Sequence, residues 1–64
     1  MSAKEMITEM VDRIVHETDD AILVEFNGGE IWLPKSQIDY TGEVGDTLVD
    51  ITMPEWLAEA KGFI

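Results

Sequence analysis

The residues most able to do chemistry stand close together early in the chain. His16 is the only histidine, and three acids follow it at Glu17, Asp19 and Asp20. An imidazole acts as a general base only when a nucleophile or an orienting acid lies within hydrogen-bond reach. Residues 18–20 are typical of a hairpin turn, so we interpret His16 as an exposed strand residue beside solvated carboxylates.

The same three acids could bind a hard cation such as calcium, which prefers oxygen ligands. However, the calcium-loop pattern of alternating acids, a central glycine and a distant glutamate is absent. Ser36 lacks the surroundings of a nucleophile elbow, and Gly28-Gly29 is too short for a phosphate-binding loop. The sequence therefore predicts no metal site, no cofactor and no enzyme activity, because so short a chain has little room for a cleft.

Charge is the most unusual property of the chain. Fourteen acids face four basic residues, which gives a formal net charge of -10, while 45% of the residues are hydrophobic. Disordered acidic tails lack such apolar content, so we expect the acids to coat a folded domain. A coat of this sign repels anionic lipid and nucleic acid and attracts a basic protein surface.

Three aromatic residues, Trp32, Tyr40 and Trp56, could stack against nucleic-acid bases. Only Arg13 and Lys35 supply positive charge in the sheet region, so nucleic acid is not the expected partner. We interpret Trp56 as a core residue between helix and sheet, and Trp32 as the cover of a barrel opening.

No part of the chain resembles a targeting or membrane segment. Lys4, Glu5 and Glu9 interrupt the first ten residues, so no secretory signal peptide is predicted. No apolar run approaches the ~18 residues that span a bilayer. The chain has no cysteine, which fits a reducing, cytoplasmic location and leaves packing as the source of stability.

Hydrophobic periodicity and turn residues predict four strands, over residues 10–17, 21–26, 30–33 and 47–53. A short extended piece could also occur at 36–38. The N-terminus is ambiguous, because Ser2 and Glu5 have the spacing of a capping box. We therefore predict a short helix or a loose arm over residues 3–9.

The C-terminal helix is predicted over residues 54–61. Pro54 suits the first helical position, and Gly62 suits the left-handed residue that ends a helix. Phe63 should fold back on the last turn. So short a helix needs packing against the sheet, for which the candidates are Trp56, Leu57 and Ala60.

Asn27-Gly28-Gly29 allows two registers for the hairpin between the second and third strands. A loop on Asn27-Gly28 sets Leu23 opposite Trp32, but it also sets Glu25 opposite Glu30. A loop on Gly28-Gly29 avoids this like-charge pair. Either register places Leu23 and Trp32 outside the core, where the N-terminal arm could cover them or a protein could bind. Both registers give the same core face, which consists of Ile22, Val24, Phe26, Ile31 and Leu33.

Together these elements predict a mainly β fold, a small antiparallel SH3-like open barrel of four to five strands with a short C-terminal helix. So small a sheet gains by curling, because curling protects its edges. A flat sheet backed by one or two helices is the alternative. Residues 10–64 would form a single domain, preceded by an arm or short helix over residues 1–9.

Two segments carry a resemblance to known proteins. Residues 31–38 read Ile-Trp-Leu-Pro-Lys-Ser-Gln-Ile, and residues 51–62 run from a strand into a Pro-Glu-Trp-Leu-Ala helix. Together they resemble small proteins and appended modules encoded by bacteriophages and bacterial mobile elements, most of which have no assigned activity. The resemblance covers about half the chain and implies that the two tryptophans and two prolines of these segments are mainly fold determinants.

The sequence predicts a non-enzymatic, acidic protein-binding domain of phage or mobile-element origin. Its carboxylates would take the place of phosphates on a basic, nucleic-acid-binding surface of a host protein, as in anti-CRISPR inhibitors of host defence. Two alternatives stay open: an accessory nucleic-acid-binding module, and a structural homodimer with a solvating acidic surface. The candidate partner-binding residues are Glu17, Asp19, Asp20, Glu25, Glu30, Trp32 and Asp50.

Overall fold

The computed structural model describes residues 5–64, which form one antiparallel sheet and a C-terminal helix. The elements are β1 (Met6–Glu17), β2 (Ala21–Phe26), β3 (Gly29–Pro34), a 3₁₀ turn (Lys35–Gln37), β4 (Asp39–Tyr40), β5 (Thr47–Pro54) and α1 (Glu55–Lys61). The strand order is β3-β2-β1-β5-β4. The predicted mainly β fold is confirmed, with five strands.

Side chains from both ends of the sheet enter the same hydrophobic core. Leu33 of β3 and Ile51 of β5 are fully buried in it, and Tyr40 of β4 packs against it. A flat sheet would hold its two edge strands apart, whereas a shared core requires the sheet to curl. The fold is thus consistent with the predicted small SH3-like barrel. The buried core comprises Val11, Ile14, Ile22, Val24, Leu33, Val49, Ile51, Met53, Leu57, Ala58 and Phe63.

β1 begins at Met6, so the prediction of a helix or arm is wrong for residues 6–9; the predicted capping residue Ser2 lies outside the described residues. Ile7 pairs with Met53, and the first half of β1 is an antiparallel partner of β5. A helix of so few residues is marginal in water, and the backbone pairing with β5 outweighs its propensity.

β1 is long because its first part pairs with one strand and its last part with another. It pairs with β5 from Met6 to Arg13 and with β2 from Arg13 to Glu17. A bulge follows Ile14, since the next paired residue is His16. A bulge increases the local twist of a strand, which helps a small sheet curl around its core.

The hairpin between β2 and β3 takes the first of the two predicted registers. Asn27 and Gly28 have φ values of 54° and 86°, as the two central residues of a tight hairpin require. Glu25 consequently lies opposite Glu30. Arg13 of β1 binds Glu25 at 3.1 Å and offsets this like-charge pair.

Pro34 ends β3, and the chain then turns away from β2. The Lys35 N–H donates to the Asp20 carbonyl at 2.8 Å, and the Ile38 N–H donates to the Lys35 carbonyl at 3.4 Å. The second bond closes a 3₁₀ turn over Lys35–Gln37, so the predicted extended piece at 36–38 is wrong for Ser36 and Gln37, whereas Ile38 has extended backbone angles. The next strand residues are Asp39 and Tyr40, which pair with β5.

The start of α1 and its packing differ from the prediction. Pro54 has extended backbone angles and precedes the helix, so it is the last residue of β5 rather than the first helical one. Leu57 and Ala58 form the buried side of α1, whereas Trp56 is 51% exposed and Ala60 is also exposed. The predicted core role of Trp56 is therefore wrong, because the helix turns its other side to the sheet.

The end of α1 follows the prediction. Gly62 has a φ of 88°, in the left-handed region, and the Phe63 N–H donates to the Ala58 carbonyl at 2.8 Å. This is the bonding of a Schellman motif, which sends the following residue back onto the helix. The Phe63 ring is buried and lies 4.5 Å from the Phe26 ring, measured between centroids.

Candidate functional site

Six of the seven candidate residues lie on one part of the sheet, which we call the hairpin surface. They occupy the end of β1, the turn after it, and the strands β2 and β3. The seventh, Asp50, lies in β5 on the other side of β1. Asp50 is thus separated from the other six candidate residues by β1 in the strand order. The hairpin surface comprises Glu17, Asp19, Asp20, Glu25, Glu30 and Trp32.

Two of the carboxylates on the hairpin surface are paired with cations. Arg13 binds Glu25, and the Lys35 ammonium donates a hydrogen bond to the Glu17 carboxylate. This hydrogen bond, strengthened by the charge of Glu17, raises the pKa of Lys35 above its usual 10.5. The negative charge of the surface is thus concentrated on the carboxylates that have no cationic partner within residues 5–64, namely Asp19, Asp20 and Glu30.

Trp32 gives the hairpin surface an apolar centre. Its side chain is 44% exposed and faces away from the core, beside Leu23 of the neighbouring strand. The rings of His16 and Trp32 form an edge-to-face contact, with centroids 6.1 Å apart and planes at 88°. His16 is exposed, as predicted, and residues 6–9 pair with β5 instead of covering Trp32.

The three aromatic residues proposed as base-stacking platforms are spread over different elements. Trp32 is on β3, at one end of the strand order, and Tyr40 is on β4, at the other. Tyr40 packs against the core, while Trp56 lies on the exposed side of α1. They therefore do not line one continuous surface along which successive bases could stack.

A second acidic surface, which the sequence did not reveal, is a groove of about 680 Å³ along β4 and β5. Its carboxylates belong to Asp39, Asp46 and Asp50, and no lysine, arginine or histidine lines it. The Asp46 carboxylate accepts the Glu43 N–H at 3.0 Å, which orders the loop between the two strands. The β5 groove is lined by Asp39, Tyr40, Thr41, Asp46, Thr47, Leu48, Val49, Asp50 and Thr52.

Beside the β5 groove, the outer face of β1 and β5 carries exposed apolar side chains. Met6, Met10 and Leu48 are 47%, 52% and 67% exposed, and we call these three residues the methionine face. Met10 lies opposite Asp50, and the Thr8 and Thr52 hydroxyls are hydrogen-bonded at 2.8 Å. These contacts place the side chains of Met10, Thr8, Asp50 and Thr52 on the same outer face.

Sequence reasoning missed the methionine face because it assigned Met6 to a helix or arm. An alternative pattern was present, since Ile7 and Val11 alternate with Met6, Thr8 and Met10 at strand spacing. The alternation of Leu48, Asp50 and Thr52 along the last strand matches it. Pairing the two segments would have indicated an apolar stripe bordered by acids.

Two structural findings concern other kinds of site. Within residues 5–64, no three histidine, aspartate or glutamate side chains come together in an arrangement suited to a metal ion. None of the helical segments in this range has the length and apolar character needed to cross a bilayer.

Comparison of the chain with protein-family models, with curated proteins and with solved structures found no match. The resemblance to phage and mobile-element proteins therefore stays a prediction.

Proposed function

We propose that this protein is a non-enzymatic binding domain that docks on a basic, nucleic-acid-binding surface of another protein. The observation that carries the proposal is the placement of its charge. All fourteen acids belong to the described residues, and each is at least partly exposed; within residues 5–64 no charged side chain is buried. Rigidly held carboxylates present a defined pattern of charge to a partner.

Two features of the surface support this proposal. The unpaired acids of the hairpin surface and those of the β5 groove form separate clusters, each next to exposed apolar groups. Apolar contacts contribute binding free energy, while the charge accelerates association with a basic partner and excludes acidic ones. The resemblance described above adds a phage or mobile-element origin, and carboxylates in place of phosphates add a role as an anti-CRISPR-like inhibitor of host defence.

Catalysis is not part of the proposal. His16 contacts the indole of Trp32, and no described carboxylate lies within ion-pair distance of its ring. A general base needs an orienting or reacting group within hydrogen-bond reach. The surroundings of His16 therefore support an aromatic contact on the hairpin surface.

The proposal is tested by affinity capture from bacterial lysate with three immobilised proteins. The first is the wild type, and the second carries Asp19→Asn, Asp20→Asn and Asp50→Asn. The third is a matched control of equal net charge with Glu43→Gln, Glu55→Gln and Glu59→Gln. We expect wild type and control to retain a nucleic-acid-binding protein that the aspartate variant releases. Retention should fall at high salt and on addition of competing duplex DNA.

Two results would contradict the proposal. One is capture that persists at about 1 M salt, where charge attraction is screened beyond about 3 Å. The other is a mobility shift of single-stranded DNA by the protein alone at low salt, which would favour the nucleic-acid-binding alternative.

A further inference from the structure

The backbone conformation and the exposure of Leu48 are not explained by the packing of the fold. It has a φ of 53°, in the left-handed region where a branched side chain is disfavoured, and its side chain is 67% exposed. Asparagine or glycine would fit this backbone better, and a polar side chain would suit this exposure. A large apolar side chain at such a position therefore points to a contact outside the described chain.

Leu48 belongs to the methionine face, in which Met6 and Met10 continue the exposed apolar surface along β1. Met6 and Met10 are two residues from Thr8 on either side, and both side chains are about half exposed. Methionine is flexible and polarizable, and it is common on surfaces that adapt to the shape of a partner. Leu48 alternates with Asp50 and Thr52 along β5, so together with the two methionines it offers three apolar anchors on the paired segment of β1 and β5.

The negative charge around the methionine face indicates what kind of partner could bind there. Asp50 lies directly opposite Met10, and Asp39 and Asp46 line the groove beside Leu48. A second copy of this chain also carries a charge of -10 and would be repelled, as would an anionic lipid surface. A peptide segment with an apolar side flanked by lysine or arginine complements both the apolar side chains of the methionine face and the acids around it.

The backbone hydrogen bonds of the strands under the methionine face indicate which conformation a bound segment would have. Over residues 6–12, β1 pairs with β5 alone and leaves its other edge unpaired, but the outer face that carries Met6 and Met10 presents side chains rather than free backbone groups. A segment that binds there must satisfy its own backbone hydrogen bonds, as a helix does. An added strand would instead pair along the open edge of β1, beside the methionine face rather than on it.

We infer that the methionine face docks a basic amphipathic helix. The inference rests on the proposed function for the sign of the partner's charge, and it adds the anchoring residues and the form of the bound segment. Leu48, Met10 and Met6 contact the apolar side of the helix, and the neighbouring aspartates contact its lysine or arginine side chains.

The test uses two fluorescein-labelled peptides of about 18 leucine and lysine residues, long enough to form a helix on binding. One is arranged as an amphipathic helix, and the other has the same composition with leucines on all sides. Binding is measured by anisotropy, and amide shifts of the full chain locate the site. We expect the amphipathic peptide to bind at least about tenfold more tightly, since the other cannot place its leucines together.

Variants then test whether the methionine face is the surface that binds the peptide. Leu48→Asn and Met10→Gln should each weaken binding about tenfold, whereas Asp19→Asn with Asp20→Asn should change it less than about threefold. Unfolding in urea shows that each variant is folded, and two independent variants guard against a local change at either position. Amide shifts should be confined to β1 and β5.

Three results would overturn the inference: equal binding of both peptides, unchanged binding by both variants, or sedimentation showing a dimer that Leu48→Asn dissociates. Binding of both peptides that depends on Asp19 and Asp20 would overturn the methionine face while supporting the proposed function. If neither peptide binds, the inference fails, and lysate capture decides the proposed function separately.

Discussion

Lys35 is the residue whose ionisation the fold perturbs, and this gives a prediction for alkaline pH. Its hydrogen bond to Glu17 raises its pKa above the usual 10.5. Because the pKa is higher in the folded state, the ion pair stabilises the fold fully below the unfolded-state value of 10.5, and this stabilisation is lost as pH rises through the folded-state pKa. Lys35→Met should therefore lower the free energy of unfolding at about pH 8, and the difference from wild type should shrink as the pH rises above 10.5 and through the folded-state pKa.

Urea unfolding of wild type and variant across this pH range measures this difference. Lys61→Met is the matched control, since this exposed lysine forms no ion pair within residues 5–64. A difference between wild type and Lys35→Met that stays constant up to about pH 12 would exclude the ion pair as its source.

Leu48 gives a second residue-scale prediction, which concerns backbone conformation. Leu48→Asn should raise the free energy of unfolding by about 0.5–1 kcal/mol, because asparagine tolerates positive φ better than leucine does. Leu48→Ala is the control, since alanine has the same Cβ as asparagine but lacks the polar side chain that can hydrogen-bond to nearby backbone in the left-handed conformation. Both variants remove an exposed side chain, so equal stabilities in thermal or urea unfolding would contradict the explanation.

At the scale of elements, local signals predicted some boundaries well and others poorly. The end of α1 follows from Gly62 and Phe63 alone, because a left-handed glycine and the apolar residue after it form a motif within one turn. The packing of α1 could not be predicted in the same way. Whether Trp56 or Leu57 faces the sheet depends on the angle at which Pro54 leaves β5, which is set by the tertiary structure.

The start of β1 shows the same limit and explains why half of the candidate surface was missed. Met6, Ile7 and Met10 fit a helical period as well as a strand period, and only pairing with β5 separates the two. The hairpin surface was accessible from sequence because its strands are joined by a two-residue turn. The methionine face joins segments about forty residues apart, so its register has no local signature.

Phe63 provides a prediction for the contact between α1 and the sheet. Phe63→Leu should lower the free energy of unfolding by about 1 kcal/mol, because it removes the ring contact with Phe26 while keeping most of the apolar volume. Ile64→Ala, at a 57% exposed neighbouring position, should change it by less than about 0.5 kcal/mol. Equal effects in urea unfolding would show that the ring contact contributes nothing specific.

For the whole molecule, the charge is a property of the surface and opposes folding. The principal dimensions are 37 × 24 × 16 Å, so at low salt most of the acids lie within one Debye length of each other. Arg13 and Lys35 relieve this repulsion only locally, at Glu25 and Glu17. The remaining repulsion destabilises the compact state and should be sensitive to ionic strength.

Thermal unfolding against salt tests this balance. Raising NaCl from about 10 mM to about 0.3 M shortens the Debye length from about 30 Å to below 8 Å and should raise the Tm by several degrees. The gain should then level off, because screening is nearly complete. The control with Glu43→Gln, Glu55→Gln and Glu59→Gln has less repulsion to screen, so its Tm should depend less on salt. A Tm that keeps rising steeply into molar salt would instead favour an acidic surface adapted to solvation, with no partner required.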